Sequence, residues 1–126
     1  MKIILIRHGE GYHNLKYNNT GKSDNYDILY PSLTENGIKQ ARELNKILNK
    51  EKIDKILVSP LKRTLQTYHY VFLGRNISTI SSDCIREYVL NRCDYRENIK
   101  KYMIQYKNID FSYISEKQDV YKLFAG

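Results

Sequence analysis

The sequence predicts an α/β fold, a three-layer sandwich with a mostly parallel central sheet. Two observations support this class. Short apolar segments alternate with amphipathic helical segments, in the order strand, helix, strand, helix, strand, which is typical of parallel strands joined by helical crossovers. The first apolar segment is hydrophobic at every position, as expected for a strand covered on both faces. The length of 126 residues then indicates a single domain.

The elements of the N-terminal half follow from local pattern. Ile3–Ile6 is the first predicted strand, and the polar residues 7–11 after it form a turn. Residues 12–33 combine several Asn with Gly, Ser, Asp and Pro and are predicted to be a loop. Thr34 is the predicted N-cap of an amphipathic helix over residues 35–50, in which apolar residues recur at helical spacing.

The C-terminal half continues the alternation. Ile56–Val58 is the second predicted strand. Ser59-Pro60 then predicts a helix start, with Ser as N-cap and Pro at the first helical position, and Gly74 ends that helix. Residues 77–80 are the third predicted strand, and residues 95–107 are a further helical candidate.

Charge and composition narrow the class of protein. The net charge of +7 favours anionic ligands, but the Lys residues are spread along the chain rather than grouped, which fits a solvated surface. No basic-aromatic motif for nucleic acid organises the charge. No apolar run approaches the ~20 residues that span a bilayer, and no signal peptide is recognisable. We therefore expect a cytoplasmic protein with neither nucleic-acid nor membrane partners.

Two polar clusters come after two predicted strands. Arg7-His8-Gly9-Glu10 comes after the first, and Ser59 to Arg63 comes after the second. Carboxyl ends of parallel strands share one edge, where ligands bind in such sheets. Arg matches phosphate oxygens with a planar fork, and neutral His is a competent nucleophile. The residues are thus compatible with a phosphoryl site, but a polar strand cap and a solvated arginine are the more common roles of such residues and stay open as alternatives.

Four motifs, taken in order, resemble those of the histidine phosphatase superfamily, the phosphoglycerate mutase-like proteins. They are Ile6–Glu10 with Asn14, Leu33–Ala41, Ser59–Thr67 and Arg86-Glu87. The resemblance covers essentially the whole chain.

Further segments are similar to one branch of that family. Gly11–Asn14 resembles the Gly-x-His-Asn variant of eukaryotic and viral members of unassigned substrate. Cys93–Arg96 and Ile109–Ser112 resemble further blocks of the same branch.

The resemblance implies a role for each matching residue. His8 is implied to be the nucleophile that becomes phosphohistidine. Arg7 and Arg63 clamp the phosphate, and Asn14 hydrogen-bonds one of its oxygens. Glu87 is the general acid and then the base, a role that favours a partly dry pocket. The substrate is a small phosphorylated molecule, and no metal or cofactor is expected.

The sequence departs from the family pattern in one respect. The family has a second active-site His near its C-terminus, whereas the histidines of this chain are His8, His13 and His69. We therefore expect residues 1–126 to be a histidine phosphatase domain that is incomplete at the C-terminus and open to homo-oligomerisation at its sheet edge. Weak phosphomonoester hydrolysis is the first functional hypothesis. The alternative is an inactive protein that binds phosphorylated ligands or a partner.

Overall fold

The computed structural model describes residues 1–21 and 28–121. In chain order its helices and strands are α1 (Tyr12–Thr20), α2 (Glu35–Leu48), β1 (Ile56–Val58), α3 (Lys62–Val71), β2 (Thr79–Ser81), α4 (Lys100–Gln105) and β3 (Ile109–Asp110). Short 3-10 turns cover Asp83–Ile85 and Arg92–Asp94. Among the described residues, every helix is too short or too polar to cross a bilayer.

The strands form one parallel sheet in the order β1-β2-β3. Its register places Ile56, Thr79 and Ile109 side by side, and all three are buried. Successive residues of a strand point to opposite faces, so Leu57 belongs to the other face. Leu57 is 61% exposed, so this second face is open to solvent at β1.

The main core lies between the buried face of the sheet, which carries Ile109, and the helices α3 and α4. It joins Val58 and Ile109 of the sheet to Leu65 of α3 and Tyr102 of α4. A smaller apolar cluster, in which Ala41 and Leu48 of α2 meet Val71 of α3, fixes these two helices against each other. The stack of α2, α3 and sheet brings the start of α3 close to the residues before α1.

The expected α/β class with a parallel sheet is confirmed. The expected N-cap of α2 is also present, because the Thr34 side chain accepts the N–H of Gly37. The second predicted strand has the predicted bounds. The third begins two residues late at Thr79, and the last predicted helix is shorter than expected, Lys100–Gln105.

The predicted first strand is wrong for the described structure. Ile3–Ile6 has no strand pairing, and Leu5 is 92% exposed. A strand that is apolar on both faces needs a neighbour to accept its backbone hydrogen bonds and two layers to cover it. Among the described residues none pairs with this segment, so it runs as an exposed chain that leads into His8.

The predicted loop at residues 12–33 is wrong in its first part. Residues 12–20 form α1, although only His13 of this helix is buried. Its ends explain why it forms: Asn14 caps the backbone N–H of Gly11, and Gly21 closes the helix in the left-handed conformation. Residues 22–27 of the predicted loop lie outside the described residues.

The predicted start of the helix after β1 is also wrong. Helix α3 begins at Lys62 rather than at Pro60, and its N-cap is Leu61 with no side-chain cap. The hydroxyl of Ser59 instead accepts the N–H of Leu61. Ser59-Pro60 therefore belongs to the turn that connects β1 to α3.

Candidate active site

His8 is held at both ring nitrogens. Its Nδ1 lies 2.7 Å from the carbonyl oxygen of Gly9, and its Nε2 lies 3.3 Å from Nε of Arg63. Arginine can only donate, so Nε2 must be the acceptor and Nδ1 must carry the proton that Gly9 accepts. This tautomer gives a neutral imidazole with its lone pair at Nε2.

The surroundings of His8 favour that neutral form. Burial lowers the pKa of His8 most, the Gly9 hydrogen bond acts in the opposite direction, and the charges of Arg63 and Arg7 lower it further. The positive charges would repel an imidazolium. Near neutral pH, His8 therefore offers a free base at the end of the N-terminal segment.

Side chains from α2 and α3 fix the loop that carries His8. The N–H of Gly9 donates to Thr67 Oγ1 at 3.1 Å, and the N–H of Glu10 donates to Gln40 Oε1 at 2.8 Å. On the neighbouring chain segment, the N–H of Leu33 donates to Gln66 Oε1 at 2.8 Å. The Gln and Thr positions of the sequence motifs thus satisfy loop backbone groups.

Two glycines let this loop approach α2. A Cβ on Gly9 would lie 2.5 Å from the carbonyl oxygen of Gly37, and a Cβ on Gly37 would clash with the carbonyl oxygen of Glu10. The Thr34 hydroxyl also donates to the Glu10 carboxylate at 2.7 Å. The loop before α1 is therefore packed backbone to backbone on the first turn of α2.

Arg63 is the buried cation of the site, at 2% exposure. Besides His8, its guanidinium donates to the Cys93 carbonyl oxygen at 2.7 Å and to Asp94 Oδ1 at 3.3 Å. Burial lowers the pKa of Arg63, while Cys93, Asp94 and Glu87 raise it. The structure therefore brings His8 and Arg63 into contact, with Glu87 within electrostatic range.

Glu87 and Arg7 lie at the edge of the site. Glu87 is exposed, so the partly dry pocket expected for it is wrong for the described structure. Arg7 is exposed too, and lines a cleft of about 360 Å³ with Gln40 of α2, whereas His8 and Arg63 do not line this cleft. Its charge acts on His8. Arg63 is thus the inner cation and Arg7 the outer one.

The side-chain oxygen of Asn14, a predicted phosphate ligand, already has a hydrogen-bond partner. Its Oδ1 accepts the N–H of Gly11 at 3.0 Å, which leaves the amide nitrogen as its donor. The neighbouring His13 is 4% exposed, with its ring 5.7 Å from that of His8 between centroids. Burial above all, together with the charge of Arg63, lowers the pKa of His13 to about 4. His13 is thus a second neutral imidazole beside the first.

Sequence reasoning missed the groups that support His8 and Arg63. Thr67 lies four residues after Arg63 on α3, a spacing that places both on one helix face and could have identified it. Asp94 lies in a segment that resembles the family branch, but nothing in its spacing reveals that it meets Arg63. Within residues 1–21 and 28–121, no group of three or more His, Cys, Asp or Glu side chains could hold a metal ion.

Comparison with known proteins agrees with these motifs. A family model described as "Histidine phosphatase superfamily (branch 1)" matches residues 3–117. Phosphoserine phosphatase 1 of Hydrogenobacter thermophilus is 38% identical over 87 residues, which cover 69% of this chain and 38% of that protein. Phosphoglycerate mutase-like protein 1 of Arabidopsis thaliana is 28% identical over 151 aligned positions, covering 93% and 54% respectively.

A solved structure shares the fold. The crystal structure of a phosphoserine phosphatase from Entamoeba histolytica, in complex with 3-phosphoglyceric acid, matches with a TM-score of 0.51 at 23% identity. The match covers 82% of this chain and 52% of that one. The chain thus spans about half the length, or less, of the relatives it matches.

Proposed function

The chain belongs to branch 1 of the histidine phosphatase superfamily, and from that premise we propose that it hydrolyses small phosphomonoesters through a phosphohistidine on His8. One observation carries the proposal above all. The unprotonated Nε2 of a neutral His8 lies 3.3 Å from Nε of the buried Arg63 guanidinium. A nucleophilic lone pair and a fixed cation therefore adjoin the same small volume, as phosphoryl transfer requires.

The proposed reaction has two steps. Nε2 of His8 attacks phosphorus, the bond from phosphorus to the ester oxygen breaks, and the Glu87 carboxyl gives its proton to the leaving oxygen. Glu87 then takes a proton from water as that water attacks phosphorus and breaks the N–P bond. Arg63, Arg7 and the amide nitrogen of Asn14 are proposed to hold the phosphate oxygens. The exposure of Glu87 leaves it open to both the leaving group and water.

The second active-site histidine implied by the family resemblance has no counterpart after His69 in these residues. Losing one preorganised electrostatic group costs about 10² to 10³ in rate. We therefore propose slow turnover for these 126 residues by themselves. Which phosphorylated molecule is the substrate depends on surfaces beyond the phosphate site.

Binding without turnover is the second candidate function. The observation that favours it is the hydrogen bond from Arg63 to Nε2 of His8, which engages the lone pair that would attack phosphorus. A phosphate that bound only to the arginines would leave that bond in place. Such a protein would hold phosphorylated ligands, or a phosphorylated partner, without forming phosphohistidine.

The test is turnover of p-nitrophenyl phosphate by the wild type and by His8→Ala, with protein quenched in alkaline detergent and analysed for phosphohistidine. We expect slow hydrolysis, an acid-labile phosphoprotein, and loss of both in His8→Ala. Phosphate binding with neither product would favour the second candidate.

His69→Ala is the matched control for this experiment. His69 is exposed on α3, and its ring contacts Tyr70 and Tyr106 rather than His8. We expect this variant to keep the wild-type rate and phosphoprotein signal. Equal loss in His69→Ala and His8→Ala would argue against a specific role for His8.

A further inference from the structure

The guanidinium of Arg63 is bound by two acceptors of one short turn. Its Nη1 donates to the carbonyl oxygen of Cys93 at 2.7 Å and its Nη2 to Oδ1 of Asp94 at 3.3 Å. Both acceptors belong to the 3-10 turn Arg92–Asp94. With these two bonds made, the Nε–H of Arg63 is directed to His8. The turn thus determines where the cation meets the nucleophile.

Asp94 is itself fixed on its other side. Its Oδ2 accepts the N–H of Leu90 at 3.2 Å and the N–H of Asn91 at 3.0 Å. Its Oδ1 also lies 3.6 Å from the Cys93 thiol, whose pKa burial raises to about 12, so that the thiol keeps its proton to donate. Asp94 as a whole is 6% exposed. A carboxylate bound in this way cannot rotate to follow Arg63, and Arg63 must adopt the position that Asp94 sets.

We propose that Asp94 is a positioning residue, whose buried carboxylate holds Arg63 so that its guanidinium contacts Nε2 of His8 and keeps its remaining N–H groups available for an anion. Arginine carries five N–H donors, and His8, Cys93 and Asp94 engage three of them. The inference rests on the proposed function, because it takes the anion to be the phosphoryl group of a substrate.

A merely structural role for Asp94 is the competing explanation. Asp94 completes a capping box with Asn91, and loss of that cap would destabilise the turn whatever Arg63 does. The two explanations differ in their consequence for His8. The positive charge of Arg63 lowers the pKa of His8, so displacing Arg63 raises that pKa. Removing only a negative charge nearby would lower it.

The first measurement is the affinity for inorganic phosphate, by titration calorimetry, in a double-mutant cycle of Asp94→Asn and Arg63→Ala. In Asn the amide –NH2 replaces one of the two carboxylate oxygens, so a donor would face either Arg63 or the backbone N–H groups of Leu90 and Asn91. We expect Asp94→Asn to weaken phosphate binding about ten- to hundredfold, the effect of losing a charge-assisted hydrogen bond. In the Arg63→Ala background we expect less than about a twofold change. Equal loss in both backgrounds would overturn the proposal.

The second measurement is the pKa of His8, from titration of its imidazole nitrogens by NMR. We expect Asp94→Asn to raise it towards the usual value. An unchanged or lowered pKa of His8 contradicts the proposal. Neither measurement requires turnover, so failure of the proposed function and failure of this inference can be told apart. If the wild type binds no phosphate, the proposed function fails, and the His8 titration still tests the contact with Arg63.

Asp119→Asn is the matched control. Asp119 is also a buried carboxylate, at 1% exposure, and accepts from the Arg86 guanidinium and the N–H of Arg96. We expect this variant to lose stability but to keep the phosphate affinity and the pKa of His8. If it changed both as Asp94→Asn does, the effect would be general destabilisation and the proposal would fall.

Asp94→Glu keeps the test open should Asp94→Asn fail to fold. Glutamate retains the charge but moves it by one methylene. We expect phosphate binding to be weakened in an Arg63-dependent manner here too. Wild-type affinity in Asp94→Glu would overturn the proposal, because it would show that Arg63 needs the negative charge but not its position.

Discussion

The hydroxyl of Thr67 on α3 accepts the backbone N–H of Gly9, the residue after His8, at 3.1 Å. The same hydroxyl donates to the carbonyl oxygen of Arg63 at 2.8 Å. One side chain therefore links the loop of the nucleophile to the helix turn of the cation. Because Gly9 and Thr67 are buried, the loop position depends on a hydrogen bond that water does not replace.

Replacing Thr67 by Val removes the acceptor and keeps the shape. The buried N–H of Gly9 is then unsatisfied, which costs about 1–3 kcal/mol in the free energy of unfolding. We expect urea denaturation to show this loss, together with faster amide exchange at Gly9. Thr64→Val is the control, because the Thr64 hydroxyl donates to the carbonyl oxygens of Ser59 and Leu61 and not to the loop that carries Gly9. Slow exchange at Gly9 in Thr67→Val would contradict the assigned bond.

Gly37→Ala tests the close approach of the loop to α2. In an ordinary helix interior, Gly to Ala stabilises by about 0.5–1 kcal/mol. Here the new Cβ meets the backbone of Glu10, so we expect a destabilisation of about 1–3 kcal/mol, measured by thermal denaturation. The exposed neighbour Asn36→Ala should not destabilise. The prediction fails if Gly37→Ala is as stable as the wild type.

The two arginines of the site should separate binding from stability. Arg63→Met leaves Asp94 buried without its ion-pair partner, and we expect about 3–5 kcal/mol loss of unfolding free energy as well as weaker phosphate binding. Arg7→Met, at an exposed position, should weaken phosphate binding with a stability change within about 0.5 kcal/mol. Urea denaturation and phosphate titration measure both effects. Equal destabilisation by the two variants would contradict the assigned burial.

His13 should make stability depend on pH in the acid range. Its pKa is lowered to about 4 in the folded protein, against about 6.5 in an unfolded chain. Between these values the unfolded state binds more protons, so stability is complete above pH ~6.5 and falls as the pH drops towards ~4. The expected loss attributable to His13 is about 3 kcal/mol.

The measurement is the free energy of unfolding of the wild type and of His13→Gln at pH 7.5 and 4.5. We expect the wild type to lose about 2–3 kcal/mol more than the variant over that interval. Parallel losses would show that His13 is not the group that titrates.

Local pattern was sufficient where an element depends mainly on its own residues. Thr34 caps α2 as expected, and Ile56–Val58 has the predicted bounds, because capping and apolar periodicity act over a few residues. Local pattern failed at α1, which is a polar helix stabilised by its caps. It also failed at Ser59-Pro60, where the turn between β1 and α3 replaces the usual N-cap and first helical position. For the site, the sequence predicted that His8 and Arg63 share one edge, and the structure brings their side chains together.

The α/β class, the family resemblance and the meeting of His8 with Arg63 follow from the sequence alone, because periodicity and motif spacing are encoded locally. Tertiary structure decided the rest. Only packing reveals that Asp94 holds Arg63 and that Thr67 holds Gly9, since those partners lie 31 and 58 residues apart. Only packing shows that Ile3–Ile6 pairs with no strand in the part of the chain that the structure describes, because a strand depends on a neighbour for its hydrogen bonds, and its own residues do not supply one.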